Sequence, residues 1–368
     1  MSLNRIIISG GGTGGHVFPA IAIANRLKFE NPNARILFIG AKGKMEMEKV
    51  PEAGYNIIGL NITGFQRRLT LKNLLLPFRI IGSMIHAFFV VRKFKPDVVV
   101  GVGGYASGPT LKIATLLGIP TVIQEQNNFP GKTNKILAKK ASAICVAYQG
   151  LDKYFPIGKL KLTGNPIREE VVQIDNKREL ALEHFGLQSE LKTIFVVGGS
   201  LGSRTLNNSI KENLSLILKS NIQIIWQCGK LNYESLKEEM NSSLPSRIIL
   251  TAFISKMDYA YALADVVISR AGAIAVSELC LVGKPTILVP SPNVAEDHQT
   301  KNAMALVDKT AALMVRDVEA EKELIQTVLD LLKDEKKQNL LSNNIRSLAI
   351  ENADQKIVKV IKEVLKND

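Results

Sequence analysis

Residues able to move protons or bind phosphate stand beside glycine loops in this chain. In RIIISGGGTGGHVF, Arg5 to Phe18, a stretch of strand character passes into Gly10–Gly15, broken only by Thr13, and His16 then opens an apolar helical pattern. Glycine tolerates positive φ and lets backbone N–H groups approach a ligand, and a helix start adds partial positive charge. Strand, loop and helix therefore make an anion site with a titratable imidazole at its mouth. Gly10, Gly12 and Gly15 also satisfy G-x-G-x-x-G, so the loop alone does not separate a dehydrogenase from other enzymes of phosphate ligands. In a later loop, GGSLGSR, Ser200 sits at a helix start, where its N–H and hydroxyl can donate to a diphosphate or simply cap the helix. Glu278 lies in AIAVSELC, which is otherwise apolar. That makes an acceptor for two ribose hydroxyls a better reading than an idle solvated glutamate.

These loops need strands before them and helices after them. The order is β then α throughout, which predicts parallel doubly wound sheets. Strands are expected at Arg5–Ser9, Ile36–Ile39, Tyr55–Ile62, Asp97–Val102, Thr121–Gln124, Ile144–Tyr148 and Leu160–Thr163, with a short helix at Met45–Val50. The loop GVGGYASGP and the segment EQNNFPGKTN follow two of these strands. Polar residues gathered at the carboxyl ends of parallel strands mark a ligand crevice. GNPIR, Gly164–Arg168, reads as a linker. The second half repeats the scheme with strands at Thr193–Val197, Gln223–Gln227, Ile248–Thr251, Val266–Ser269 and Thr286–Val289. From Glu319 onward it is helical with no further strand. The expected architecture is α/β, two Rossmann-like domains facing across a cleft: residues 1–164 and 165–368, the last helices free to pack back on the first domain.

Composition narrows the partners. The chain has 368 residues, 46% hydrophobic and 22% charged, the profile of a soluble globular protein large enough for two domains. Cys145, Cys228 and Cys280 are far apart in apolar runs, a reduced pattern with neither disulfide framework nor metal spacing. The N-terminus enters the first strand at once, so no signal peptide is expected. The net charge of +13 is uneven. Residues 1–165 carry 22 Lys and Arg against 7 Asp and Glu, whereas the remainder carries 25 against 27. The first half therefore expects an anionic partner. Aromatic residues are only 6%, and there is no nucleic-acid motif, so phospholipid and phosphorylated substrate fit better than nucleic acid. No acid occurs between Glu52 and Asp97, while Arg67, Arg68, Lys72, Arg79, Arg92, Lys93 and Lys95 are basic. Within that span LLLPFRIIGSMIHAFFVV is either a buried crossover helix or, with the loop before it, a basic apolar surface at 64–95 for an anionic membrane. Pro77, Arg79 and His86 break it below the roughly 20 residues a transmembrane helix requires.

Taken in order, GGGTGGHVFPA, GVGGYASGP, EQNNFPGKTN, GNPIR, GGSLGSR, SRAGAIAVSE and EDHQTKNA closely resemble the MurG family, bacterial UDP-N-acetylglucosamine transferases that complete the lipid-linked disaccharide of peptidoglycan. The resemblance runs from Gly10 to Ala303 in unbroken order. It implies the GT-B fold, an acceptor-binding N-terminal domain and a nucleotide-sugar-binding C-terminal domain. It assigns Thr13, Gly14, Gly15, Asn127, Arg168, Ser200, Ile254, the stretch Ala273, Ile274, Ala275, Val276, Ser277 and Glu278, and Gln299 to UDP-N-acetylglucosamine. Ile254 is expected to offer backbone groups to uracil, because its side chain offers no hydrogen bond. Gln299 would bind a sugar hydroxyl, with His298 covering the pocket. The family often has a hydroxyl residue where this chain has Ala275, so backbone N–H groups must serve there. Tyr105, Ser107, Asn128 and Asn134 would line the pocket for the lipid-linked muramoyl-peptide acceptor.

The implied reaction transfers N-acetylglucosamine, with inversion, to the C4 hydroxyl of the muramoyl sugar of an undecaprenyl-pyrophosphate-linked acceptor. Inversion in one displacement needs a base on the acceptor hydroxyl and stabilisation of departing UDP. His16 is the first candidate base, though it could instead hydrogen-bond the diphosphate or the acceptor, and Glu125 is the reserve. No D-x-D pair occurs, so neither a metal clamp nor another cofactor is expected; helix starts, glycine N–H groups and Arg168 can take that role. The resemblance further implies a peripheral place on the cytoplasmic side of the inner membrane, and protein partners in cell-wall synthesis and division. Competing readings are another GT-B enzyme, such as a UDP-N-acetylglucosamine 2-epimerase or glycolipid glycosyltransferase, a non-catalytic membrane scaffold, or an NADP oxidoreductase. The last needs an acid, or basic residues for a 2′-phosphate, after the second strand; Gly40, Ala41 and Lys42 follow Ile39, which disfavours NAD and leaves NADP little support, and the reading leaves GGSLGSR and SRAGAIAVSE without a role.

Overall fold

The computed structural model describes residues 3–62, 76–199, 201–240 and 244–367. The chain divides into two compact units, one of residues 1–167 with 351–368, the other of residues 168–350.

The first unit is built on seven parallel strands: β1 (Arg5–Ser9), β2 (Arg35–Ala41), β3 (Asn56–Leu60), β4 (Val98–Gly101), β5 (Thr121–Glu125), β6 (Ala143–Val146) and β7 (Leu160–Leu162), in the order β3-β2-β1-β4-β5-β6-β7. Central strands such as Ile6–Ile8 and Val98–Val100 are wholly buried because helices cover both faces, which is why they read as unbroken apolar runs rather than alternating ones. The order reverses between β1 and β4, the switch point at which doubly wound sheets open a crevice. The last helix, Ala353–Asn367, packs on the helix Gly14–Glu30; Ile357, Val358 and Ile361 join Ile23, Ala24 and Leu27 in one apolar cluster.

The second unit has six parallel strands: β8 (Lys192–Val197), β9 (Ile222–Gln227), β10 (Ile248–Thr251), β11 (Val266–Ser269), β12 (Thr286–Leu288) and β13 (Leu313–Met314), ordered β10-β9-β8-β11-β12-β13. The two residues of β13 are too few to leave a period in the sequence, and no strand was expected there. Buried Trp226 donates its indole N–H to Asn207 Oδ1 at 2.9 Å, and Asn207 donates onward to the Cys228 carbonyl at 3.0 Å. This satisfies the polar groups that β9 and its covering helix bring into the core.

The helix Leu76–Phe94 is amphipathic rather than uniformly buried. Ser83, Ala87, Val90 and Val91 face inward, while Phe78, Ile81, Ile85 and Phe89, three or four residues apart, form an outward stripe in which Phe78 is 73% and Phe89 64% exposed. Residues 63–75 of the basic segment lie outside the described residues. Among the described residues, no helix is long and apolar enough to cross a membrane.

Candidate functional site

In the first unit the candidate residues follow the carboxyl ends of β1, β4 and β5. The glycine loop after β1 is only partly open. Gly10 N–H donates to the Ile39 carbonyl and Gly11 N–H to the Gly103 carbonyl, each at 3.2 Å. Gly12 N–H donates to Glu46 Oε2 at 2.8 Å. Three amides expected to cradle an anion are thus engaged within the protein, leaving Thr13 to Gly15, at the start of the helix Gly14–Glu30, as the part of the loop that can receive one. Thr13 Oγ1 and His16 Nδ1 lie 3.1 Å apart. The other side of the imidazole rests on the second glycine loop, where a methyl on Gly103 would stand 2.8 Å from His16 Nε2. Only glycine at 103 allows the two loops to close around His16.

Glu125 does not sit as a ready base. It is buried, and its carboxyl accepts from Asn127 N–H at 3.1 Å, Asn127 Nδ2 at 3.3 Å, Gly131 N–H at 3.1 Å and Asn134 Nδ2 at 2.9 Å. Burial pushes its carboxyl up while these donors pull it down. Four donors converging on one acid shape the EQNNFPGKTN loop. Asn134, expected in the acceptor pocket, is therefore buried and turned toward Glu125. Ser107 is likewise turned inward, wholly buried with its hydroxyl donating to the Gly104 carbonyl at 2.8 Å. Tyr105 is exposed and Asn128 half-buried on the same edge. The linker is tied to this edge too: Gln124 donates to Asn165 Oδ1 at 2.9 Å, and Asn165 donates to the Gln126 carbonyl at 3.0 Å.

In the second unit the candidates again follow strand ends, after β8, β10, β11 and β12. Ser200 lies outside the described residues. Its loop continues through Gly202, at φ 80°, to Ser203, whose hydroxyl accepts from Leu206 N–H at 3.3 Å and caps the helix Arg204–Glu212. Ile254 N–H, expected to serve uracil, is taken by Gln227 Oε1 at 2.9 Å, while Gln227 Nε2 donates to the Gly199 carbonyl at 3.2 Å. One buried glutamine thus joins the glycine loop to the Ile254 segment, leaving the Ile254 carbonyl as the backbone group that can meet a base.

The helix Ala273–Val282 starts at Gly272, which has no side chain to cap it. Ile274, Ala275 and Ser277 are half-buried in its first turns, and Ala273 and Val276 are buried. Glu278, in the second turn, receives the Tyr261 hydroxyl at 3.4 Å. Desolvation pushes its carboxyl up to about 7, against the opposing pull of the Arg168 guanidinium and the Tyr261 hydroxyl. Gln299 Oε1 accepts from Ser291 N–H at 2.8 Å, so the amide nitrogen is the end of that side chain suited to a sugar hydroxyl. Just ahead of its helix, Glu296 and Asp297 both hold left-handed φ, at 54° and 52°, strained backbone of the kind retained at binding loops.

Sequence reading missed Glu46, Gln227 and Tyr261. Gln227 left a trace, a polar residue closing the strand IQIIWQ two residues before a glycine; Glu46, in a charged surface-like segment, left none.

Comparison with known proteins gives this geometry a context. The model of the glycosyltransferase family 28 N-terminal domain matches residues 6–146, and that of the family 28 C-terminal domain residues 193–362. The chain is 53% identical over 361 residues, 98% of each protein, to a Flavobacterium psychrophilum protein named UDP-N-acetylglucosamine–N-acetylmuramyl-(pentapeptide) pyrophosphoryl-undecaprenol N-acetylglucosamine transferase. A crystal structure of Acinetobacter baumannii MurG matches with a TM-score of 0.78 at 29% identity, covering 98% of this chain and 99% of that one. A Neisseria meningitidis UDP-GlcNAc 2-epimerase matches at 0.65 with 14% identity, over 99% of this chain and 100% of that one, a likeness of fold alone. The fold is GT-B, with two Rossmann-like units.

Proposed function

The chain belongs to glycosyltransferase family 28, and from that premise we propose that it transfers N-acetylglucosamine from UDP-N-acetylglucosamine to the C4 hydroxyl of a muramoyl-peptide carried on undecaprenyl pyrophosphate. The observation that carries the donor half is Glu278. A carboxyl held near neutrality in the second turn of a helix with an uncapped start is short of hydrogen-bond donors, and a ribose diol supplies two. The first turn, Ala273 to Ala275, offers backbone N–H groups and the helix dipole to the diphosphate, and Arg168 adds positive charge. Ser200, by its place in GGSLGSR, adds to the same phosphate contacts. The Ile254 carbonyl meets the uracil and the Gln299 amide a sugar hydroxyl. Thr13, Gly14, Gly15 and Asn127 are, by the family resemblance, further residues for the sugar nucleotide.

For the transfer, His16 takes the proton from the acceptor hydroxyl as the anomeric carbon inverts and UDP departs. Tyr105 and Asn128 contact the acceptor, while Ser107, Asn134 and Glu125 hold the loops that carry them. The outward apolar stripe Phe78, Ile81, Ile85 and Phe89, with Arg92 and Lys93 at the helix end, lies on the anionic surface where a lipid-linked acceptor resides; this supports a peripheral position on the cytoplasmic side of the inner membrane. Purified protein mixed with labelled donor and lipid-linked muramoyl acceptor, without added divalent metal, tests the reading. Labelled disaccharide-lipid is the expected product; free N-acetylmannosamine released without acceptor would instead identify an epimerase.

A further inference from the structure

Glu46 stands outside every motif singled out in the sequence, yet it is the side chain most tightly built into the first glycine loop. It is 1% exposed. Its Oε2 accepts from Gly12 N–H at 2.8 Å and its Oε1 from Ala41 N–H at 2.9 Å. The loop is shaped around it: a methyl on Gly11 would land on the carboxyl, and one on Gly40 would stand 2.5 Å from its Cγ. Glycine loops of this kind ordinarily turn their amides to a bound phosphate. Here an internal carboxyl takes the Gly12 amide, so this part of the loop is fixed from within the protein.

From these contacts we propose that Glu46 is a positioning residue for the transfer: it fixes Gly12, and through it the next turn of chain, so that Thr13 and His16 are held against the second glycine loop. The links are short. Gly12 is bonded to Thr13, the Thr13 carbonyl receives His16 N–H at 3.0 Å, and Thr13 Oγ1 lies 3.1 Å from His16 Nδ1. Gly11 N–H, on the other side of Gly12, is joined to the Gly103 carbonyl, and the Gly103 Cα abuts the imidazole. Releasing Gly12 loosens both attachments of His16 at once. The inference rests on the transferase reading for its kinetic part and on geometry alone for its spectroscopic part.

Glu46→Gln is nearly isosteric but places an NH2 against one of the two amides, so one hydrogen bond becomes a donor facing a donor. We expect kcat to fall about 10- to 100-fold, the scale of a misplaced catalytic group, with any rise in the donor KM, felt through Thr13, smaller than that fall. The imidazole ring shifts of His16 in NMR spectra of the ligand-free protein should move, and Glu46→Asp, which keeps both acceptors on a shorter arm, should recover part of kcat. In the unaltered protein the Gly12 amide should exchange with solvent slowly, a measurement independent of how any variant folds. Wild-type kcat in Glu46→Gln, a donor KM that rises while kcat holds, unmoved His16 resonances, or a freely exchanging Gly12 amide would each overturn the proposal. An inactive wild-type protein with the expected His16 shifts and Gly12 protection would instead count against the transferase reading and leave the positioning role standing.

Discussion

The Tyr261 hydroxyl points at Glu278 Oε2 from 3.4 Å inside the second unit. It gives the carboxyl one donor where an ionised carboxylate can use several, and burial pushes the acid up to about 7. The carboxyl therefore keeps accepting capacity for the ribose hydroxyls proposed to meet it.

The raised carboxyl has a pH signature. Unfolded, Glu278 titrates near 4.5; folded, near 7. Between those values the native state binds the extra proton, so the stability gained from holding it is full below about pH 4.5 and is lost as pH rises through 7. At ~1.4 kcal/mol per unit the loss approaches roughly 3 kcal/mol. Urea unfolding of wild type and Glu278→Gln from pH 4.5 to 8 should show the variant gaining relative stability as pH rises; parallel curves would refute the shifted carboxyl.

Donor binding should run the other way. The ionised carboxylate accepts both ribose hydroxyls, so the UDP Kd should tighten as pH rises through 7, and Glu278→Ala should raise the donor KM about 10- to 100-fold while kcat changes little. Calorimetric titration with UDP at pH 6 and 8 checks the first statement, steady-state kinetics the second.

Gln227 spans two chain segments, so its loss should be felt at the nucleotide. Gln227→Leu leaves the buried Ile254 N–H without its partner, which costs about 1–3 kcal/mol, and releases the exposed Gly199 carbonyl to solvent. Thermal denaturation should show a lowered Tm, and the donor KM should rise. An unchanged KM in a destabilised variant would confine Gln227 to a scaffold role.

His16→Ala should lower kcat by about 10²- to 10⁴-fold, the range for removal of a general base, with the donor KM within a few-fold of wild type. Turnover at the wild-type rate removes the imidazole from the chemistry.

The outward stripe is tested by replacing Phe78, Ile81 and Phe89 with serine. Sedimentation with vesicles containing anionic lipid should fall several-fold, and binding by the unaltered protein should weaken with added salt. Equal binding to neutral and anionic vesicles would dismiss the electrostatic part.

How far the sequence discloses these features depends on the range of the interaction. Strands buried on both faces announce themselves as Ile and Val runs, and glycine loops carry their own spacing, so the parallel βα order is legible from Arg5 to Leu288. Glu46 is not, because it meets Gly12 from 34 positions away, a contact created by the pairing of β1 with β2. The same holds for Gln227 and Ile254, joined across β9 and β10. Ser107 and Asn134, polar residues after strand ends that read as ligand contacts, make inward hydrogen bonds to the Gly104 carbonyl and to Glu125, which the sequence does not disclose. The amphipathic helix was caught between two readings because a run apolar all round its circumference hides which face is covered.

The helix Ala353–Asn367 closes the first unit although it follows the second in the chain. The second unit is thus an insertion in the first, and during synthesis the surface formed by Ile23, Ala24 and Leu27 waits uncovered for some 320 residues of chain to emerge. A chaperone that shelters nascent apolar surface has an opportunity here, and truncating the chain just before residue 353 would leave a complete second unit attached to a first one lacking this layer.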